Sequence, residues 1–474
     1  MQCCRRRRST FALTAVILVT GAIAFVMYKD ALHFPGPAAV KAPVVDGNNE
    51  FDRSGSAPND SRRSTSTAPK AESGESLHSD PLYQLRVELD AQNLLNEQAM
   101  EPAPTFETRE QFEQVLSQLP LDESSKYRIH MHYVRRQIAI EQPDVTLVSQ
   151  CDADHLHEAI GLAQYWDGPV SVAVFIPGNV YKALATLRQI RACHDRVRER
   201  VSFHLVYMEN ESVYEEVAAS ELPLEGACEN FQDPYEELRA NNGTAVRPKL
   251  QQQKAPAKYD GVPYPNNFLR NVARSGVSST FMFVIDIDMR PSRGLRLWFL
   301  RLADKRPRAS LRTAFVVPTF ELKAGAPIPR IRQQLIDTYL QGNARPFYEK
   351  ACWKCQKPTD FDQWLSVTSP ISKPTYKVDW KDPWEPFYIS WTNLPLYDER
   401  FQRYGFNRIS QVCETWVSGF NFEVLTGGYL LHEGFKEPES FHTQKSQEND
   451  ANRSLFRQFK QDLKSKYPSS TRRC

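Results

Sequence analysis

Thr280-Phe-Met-Phe-Val-Ile-Asp286-Ile-Asp288-Met289 is a run of large apolar residues that stops on two carboxylates. The stretch from Phe281 to Ile285 reads as a strand buried on both faces, because a half-exposed strand would alternate with polar residues. Alternate residues of a strand share a face, so Asp286 and Asp288 are expected to point one way and Ile287 the other. In open α/β sheets ligands bind beyond the carboxyl ends of the strands. Two acids there make a hard-oxygen site for a divalent cation, which would neutralise the phosphates of a nucleotide.

Upstream of this run, strands and helices alternate. Val145-Thr-Leu-Val148 reads as a first buried strand that ends in polar Ser149-Gln150, and a helical stretch, His155 to Trp166, follows it. Val170 to Ile176 is a second strand, Tyr181 to Arg191 a helix, and Val201 to Tyr207 a third strand. Helix Asn266 to Arg274 then leads into the acidic strand end. That order predicts an α/β domain with a parallel, Rossmann-type sheet covered on both faces. An Asp-x-Asp triplet so placed resembles the DxD motif of glycosyltransferases with the GT-A fold, which use nucleotide sugars.

Downstream, Phe422-Glu-Val-Leu425 precedes Gly427-Gly428-Tyr-Leu-Leu-His432-Glu-Gly-Phe-Lys436. His432 closes an apolar strand and is expected as a third metal ligand beside Asp286 and Asp288. An imidazole added to carboxylates favours Mn2+, with Mg2+ as the alternative. Lys436 is placed to meet a diphosphate as a point charge.

The chain has 474 residues, with 59 Lys+Arg against 57 Asp+Glu and 41% hydrophobic residues. Those proportions exclude a wholly disordered chain and a multi-span membrane protein. Near-neutral charge argues against a nucleic-acid partner, whose phosphates call for a basic excess. At the N-terminus, four arginines, Arg5 to Arg8, precede an apolar run from Phe11 to Tyr28. Its length suits a single membrane helix better than the shorter core of a cleaved signal, and the arginines hold that end in the cytosol. The expected organisation is a cytosolic tail over 1–10, a transmembrane signal-anchor over 11–28 and a disordered Pro/Ser-rich stem over 29–80. A helical stalk or collar over 81–143 and a single luminal catalytic domain over 144–474 complete it. Asn-x-Ser/Thr sequons stand at Asn59, Asn210, Asn242 and Asn452, the last three lying beyond the stem. Seven cysteines lie beyond the anchor, so at least one is left without an intrachain partner. Cys352-Trp-Lys-Cys355 lacks the companion ligands of a zinc site and reads as two disulfide cysteines with different partners.

Several stretches together resemble glycosyltransferase family 49, to which the C-terminal half of LARGE-type bifunctional enzymes belongs. They are Tyr264 to Arg274, Val284 to Met289, Val316 to Glu321, Trp380 to Tyr388, Tyr397 to Gln411 and His432 to Lys436. The resemblance runs from about Asp144 to Cys474 and leaves the stem uncovered. It departs at Glu433, where a basic residue is expected, and in an expanded stretch from Pro234 to Ala257.

The resemblance implies a type II Golgi membrane enzyme with a luminal catalytic domain. It would transfer glucuronic acid from UDP-glucuronate to xylose in β1,4 linkage on the O-mannosyl glycan of dystroglycan-like glycoproteins, with LARGE-type enzymes as partners. An N-acetylglucosamine donor in poly-N-acetyllactosamine synthesis and a non-catalytic, sugar-binding Golgi scaffold are the alternatives. An α-linked UDP-sugar giving a β product requires inversion, and hence a carboxylate that takes the proton of the acceptor hydroxyl. Asp382, Glu385, Asp398, Glu414 and Glu321 are the candidates. Glu385 is favoured, with Asp382 beside it, because flanking Trp384 and Phe387 could stack on sugars and raise the carboxyl's pKa. Ser149 and Gln150 are expected near the uridine, and Arg270 and Asn271 near the diphosphate or sugar. The donor carboxylate needs a cation, best an arginine.

Overall fold

The computed structural model describes residues 109–178, 180–209, 228, 263–306, 311–437 and 445–474, with only the backbone at 109–113 and 445. The Phe11 to Tyr28 run, the stem and the sequons at Asn59, Asn210 and Asn242 lie outside the described residues. Among the described residues no helix is long and apolar enough to cross a membrane.

Among the described residues thirteen strands form two sheets. They are β1 Tyr127–Val134, β2 Val145–Asp152, β3 Val170–Ile176, β4 Val201–Met208, β5 Phe281–Val284, β6 Met289–Pro291, β7 Thr313–Val316, β8 Thr319–Leu322, β9 Ala344–Pro346, β10 Thr375–Val378, β11 Tyr388–Trp391, β12 Asn421–Leu425 and β13 Leu430–Glu433. The larger sheet has nine strands in the order β1-β4-β3-β2-β5-β11-β7-β12-β10, and the smaller has four in the order β6-β13-β8-β9.

The alternating unit forms as its periodicity demands. β4, β3, β2 and β5 are parallel neighbours, and every residue of β2 and β3 is buried. Helix Asn266–Ser275 places Phe268, Leu269, Val272 and Ala273 on its buried face, the spacing of an amphipathic helix packed on a sheet.

The whole sheet is mixed, not parallel. β11 enters antiparallel between β5 and β7, and β1 adds antiparallel to the edge of β4. Neither pairing leaves a local trace, since each joins segments far apart in sequence. β1 also gives the sheet a strand that begins before Asp144, within the stretch read as helical. Helix Arg109–Gln118 does occupy the amphipathic part of that stretch.

The acidic strand end differs from its expected form. β5 stops at Val284, and Asp286 to Asp288 lie in a turn closed by the Met289 amide donating to the Asp286 carbonyl at 3.1 Å. Met289 then opens β6 in the second sheet, paired with His432 of β13. The turn therefore bridges the two sheets. The alternation rule for strands does not govern its two carboxylates.

Disulfides join Cys193–Cys228, Cys352–Cys355 and Cys413–Cys474, and Cys151 is free and buried. The two CxxC cysteines thus pair with each other, against the expectation of separate partners.

Candidate functional site

A cleft of about 980 Å³ opens beyond the carboxyl ends of β2 and β5. Gln150, Arg270, Asp286, Asp288, Asp382 and Glu385 all line it, although they come from distant parts of the chain. The bridging turn supplies the two aspartates, the helix before β5 supplies Arg270, and the loop before β11 supplies Asp382 and Glu385.

The two aspartates face different partners. Asp286 accepts from Arg408 Nη2 at 2.9 and 2.8 Å and from Arg270 Nη2 at 3.1 Å. Burial works to raise its pKa, but the two guanidiniums outweigh it and hold the carboxyl below the usual range. Asp288 instead meets His432, with Oδ2 at 3.2 Å from Nε2. Burial again opposes ionisation there, but His432, then Lys436 and Arg290, keep Asp288 well below an ordinary carboxylate.

Among the described residues no three His, Cys, Asp or Glu side chains gather as a metal-holding group. The expected set of Asp286, Asp288 and His432 therefore reduces to two, because Asp286 is bound by its arginines. The remaining pair fits a cation well. His432 Nδ1 lies 2.9 Å from the Gly434 carbonyl, which only accepts, so Nδ1 carries the proton. Nε2 then faces a carboxylate oxygen, a geometry that a proton on Nε2 satisfies as an ion pair and that a cation would satisfy by taking both atoms as ligands. Adjacent ligands of an octahedral cation with bonds of about 2.1–2.2 Å sit about 3 Å apart, near the separation found.

Glu385 is held by its backbone: its amide donates to the Cys355 carbonyl at 3.0 Å, and Gln356 Nε2 donates to its carbonyl at 3.3 Å. Its carboxylate has no hydrogen bond or ion pair among the described residues. Burial pushes its pKa up to about 7, with Arg408 and Arg270 opposing and Asp286 reinforcing the shift. Asp382 sits at the rim, 3.7 Å from Lys460 Nζ. The other acids proposed as bases have structural work. Glu321 is fully buried against Arg345 and the amides of Tyr348 and Lys436; Asp398 pairs with Arg400; Glu414 binds Lys466 and Tyr467.

Several expectations are corrected. Trp384 and Phe387 are core side chains, with the Trp384 indole donating to Thr359 Oγ1 at 3.1 Å and Phe387 lying 3.8 Å beneath the Arg408 guanidinium. They desolvate the neighbourhood of Glu385 but offer no face to a sugar. Ser149 Oγ donates to the Ile285 carbonyl at 2.9 Å and ties β2 to the chain leaving β5, outside the cleft lining. Asn271 turns away to Tyr397 and Glu399. Gln150 does line the cleft, where it accepts from the Tyr264 hydroxyl. Lys436 stays near enough to Asp288 to depress its pKa. The Asn452 side chain is buried, and its Nδ2 donates to the carbonyls of Gln402, Tyr404 and Gly405 at 2.9–3.0 Å. That nitrogen has no room for an oligosaccharide.

Arg408, Tyr348 and Tyr404 were not singled out from the sequence. Arg408 opens helix Asn407–Val417 next to Phe406, which has a positive φ of 59°. A lone arginine after a Gly-containing loop carries no local signal. Its meaning comes from Asp286, 122 positions away.

A family model described as glycosyl-transferase for dystroglycan matches residues 144–468. The chain belongs to that family and is a glycosyltransferase. Beta-1,4-glucuronyltransferase 1 of Homo sapiens is 40% identical over 362 residues, which cover 75% of this chain and 83% of that protein. The Danio rerio protein of the same name is 37% identical over 369 residues, 74% and 83% of the two chains. Xylosyl- and glucuronyltransferase LARGE1 of Mus musculus is 25% identical over 403 residues, 81% of this chain and 45% of that one. Among solved structures, a fragment of S. aureus TarS is 11% identical and covers 61% of this chain and 60% of its own, with a TM-score of 0.30. A likeness that slight carries no argument here.

Proposed function

We propose that this glycosyltransferase transfers glucuronic acid from UDP-glucuronate to a xylose in β1,4 linkage, on O-mannosyl glycans of the dystroglycan type. The names of its relatives support the donor and linkage. One observation carries the chemistry: Asp288, which meets His432 at 3.2 Å, and Glu385, whose carboxylate has no ion pair among the described residues, line one cleft, and Asp286 is electrostatically coupled to both acids.

Asp288 and His432 would hold Mn2+, with Mg2+ as the alternative, which supplies charge stabilisation for a departing diphosphate. Lys436 adds positive charge on the same side. Gln150 lies where the end of β2 meets the nucleotide. Glu385 takes the proton of the acceptor hydroxyl as it attacks the anomeric carbon from the face opposite UDP, which inverts the linkage. Its raised pKa suits a base that must hold a proton during the reaction. Asp382, at the rim, faces the acceptor side.

The N-terminal arginines and the apolar run Phe11 to Tyr28 support a single-pass Golgi membrane protein with this domain in the lumen, where LARGE-type enzymes extend its product. The test is transfer from a panel of UDP-sugars onto a β-xyloside, with and without Mn2+, by the wild type and Asp288→Asn. The expected result is metal-dependent transfer from UDP-glucuronate that falls at least about 100-fold in the variant. Preference for UDP-N-acetylglucosamine would overturn the donor assignment, and wild-type rates in Asp288→Asn would remove the metal pair from the mechanism.

A further inference from the structure

We infer that Arg408 recognises the carboxylate of the donor sugar and thereby sets the preference for a uronate over a neutral hexose. This rests on the donor, metal-pair and base assignments proposed above, and it adds the residue that reads the donor.

Position is the first support. In a single displacement the anomeric carbon lies between the leaving diphosphate and the attacking hydroxyl, so the sugar must span from the Asp288–His432 pair towards Glu385. Arg408 occupies the intervening ground. It binds both oxygens of Asp286, two residues from Asp288, and it is the foremost charged neighbour of Glu385.

The second support is a pair of unused donors. Both hydrogen bonds of Arg408 to Asp286 leave from Nη2, and among the described residues Nε and Nη1 have no partner. Nε and Nη1 lie on opposite sides of the guanidinium, and either can give a charge-assisted hydrogen bond to an incoming carboxylate. The guanidinium plane is already fixed from beneath by Phe387 at 3.8 Å and from the side by Asp286, so binding loses little side-chain freedom. Arg408 is 10% exposed, which keeps its charge poorly screened. Arg270, Arg408 and Asp286 together leave one positive charge over in the cleft wall.

Rival cations fit less well. Arg270 commits Nη1 to Asn267 and Nη2 to Asp286. Arg290 is fully buried against Glu158 at 2.7 Å. Arg453 and Arg457 stand exposed on helix Lys445–Lys466, at the rim, where water weakens an ion pair.

The experiment compares kcat/KM for UDP-glucuronate and UDP-glucose in the wild type, Arg408→Gln and Arg408→Lys, with a β-xyloside acceptor and fixed Mn2+. The glucuronate-to-glucose ratio is expected to fall roughly 30- to 100-fold in Arg408→Gln, the loss of a charge-assisted contact. In Arg408→Lys it falls about 10-fold or more, because an ammonium keeps the charge but loses the planar group that Asp286 and Phe387 hold in place. Should Arg408→Gln fail to fold, Arg408→Lys alone decides. An unchanged ratio, or an equal fall for both donors, overturns the inference while leaving the donor assignment standing. A wild type that prefers another donor to UDP-glucuronate sinks the assignment and the inference with it.

Discussion

Glu385→Gln tests the proposed base with two readouts of opposite sign. The wild-type carboxyl is raised by burial from 4.5 to about 7. A shift of that size corresponds to about 3 kcal/mol between its two protonation states. Because the unprotonated form is the base, kcat/KM should rise tenfold per pH unit below neutrality and level off above it, with about a tenth of the plateau remaining at pH 6. An exposed glutamate would be almost fully active there. Stability moves the other way. The folded chain binds this proton more tightly than the unfolded chain, so the group's contribution is full below pH 4.5 and is lost as pH rises through about 7. Glutamine carries no such titration. The variant should melt at the wild-type temperature near pH 5 and be on the order of 1–3 kcal/mol more stable than wild type at pH 8. Initial rates from pH 5 to 8 at fixed Mn2+, with melting curves in the same buffers, measure both. Transfer by the variant should fall about 10²- to 10⁴-fold. A variant that keeps more than roughly a tenth of wild-type kcat, or a wild-type acid limb centred below about pH 5.5, refutes the assignment.

Two further perturbations separate local from global roles. Removing Cys352–Cys355 with two alanines opens a loop of sequence separation 3, worth only about 2 kcal/mol in chain entropy, whereas Cys413–Cys474 closes a separation of 61, worth about 4. The first should nonetheless be the more damaging to rate, because Cys355 accepts the Glu385 amide and Cys352 donates to Tyr348. Its kcat should drop about 10-fold with the acid limb moving to lower pH as Glu385 gains water, while loss of Cys413–Cys474 lowers the melting temperature and leaves the limb in place. Asn452→Ala strands three carbonyls and should cost about 2–4 kcal/mol in urea unfolding. Peptide mapping of the folded enzyme should find Asn452 unglycosylated, and an occupied glycan there would contradict its burial.

How much of this was readable in advance divides along one physical line. Strand and helix periodicity are local, and they located β2, β3 and β4, the helices between them, and the apolar run ending at Asp286 and Asp288. Glu385 was favoured, with Asp382 beside it, for flanking aromatics that prove to be core, and both acids line the cleft. Pairing across long sequence separations is different, because no neighbouring residue encodes it. The insertion of β11 made the sheet mixed, and the short β5 turned a strand end into a turn. That turn sent one aspartate to arginines and the other to a histidine.

Side-chain roles followed the same division. Trp384 and Phe387 are aromatic beside an acid whether they line a sugar site or a core, and only packing decided for the core. Asn452 satisfies a three-residue sequon, yet the carbonyls that occupy its amide come from a loop some fifty residues earlier. Arg408 is one of many arginines in the sequence. The fold made it distinctive by setting Asp286, Phe387 and Glu385 around it, since charge, stacking and desolvation act through space and take no account of chain order.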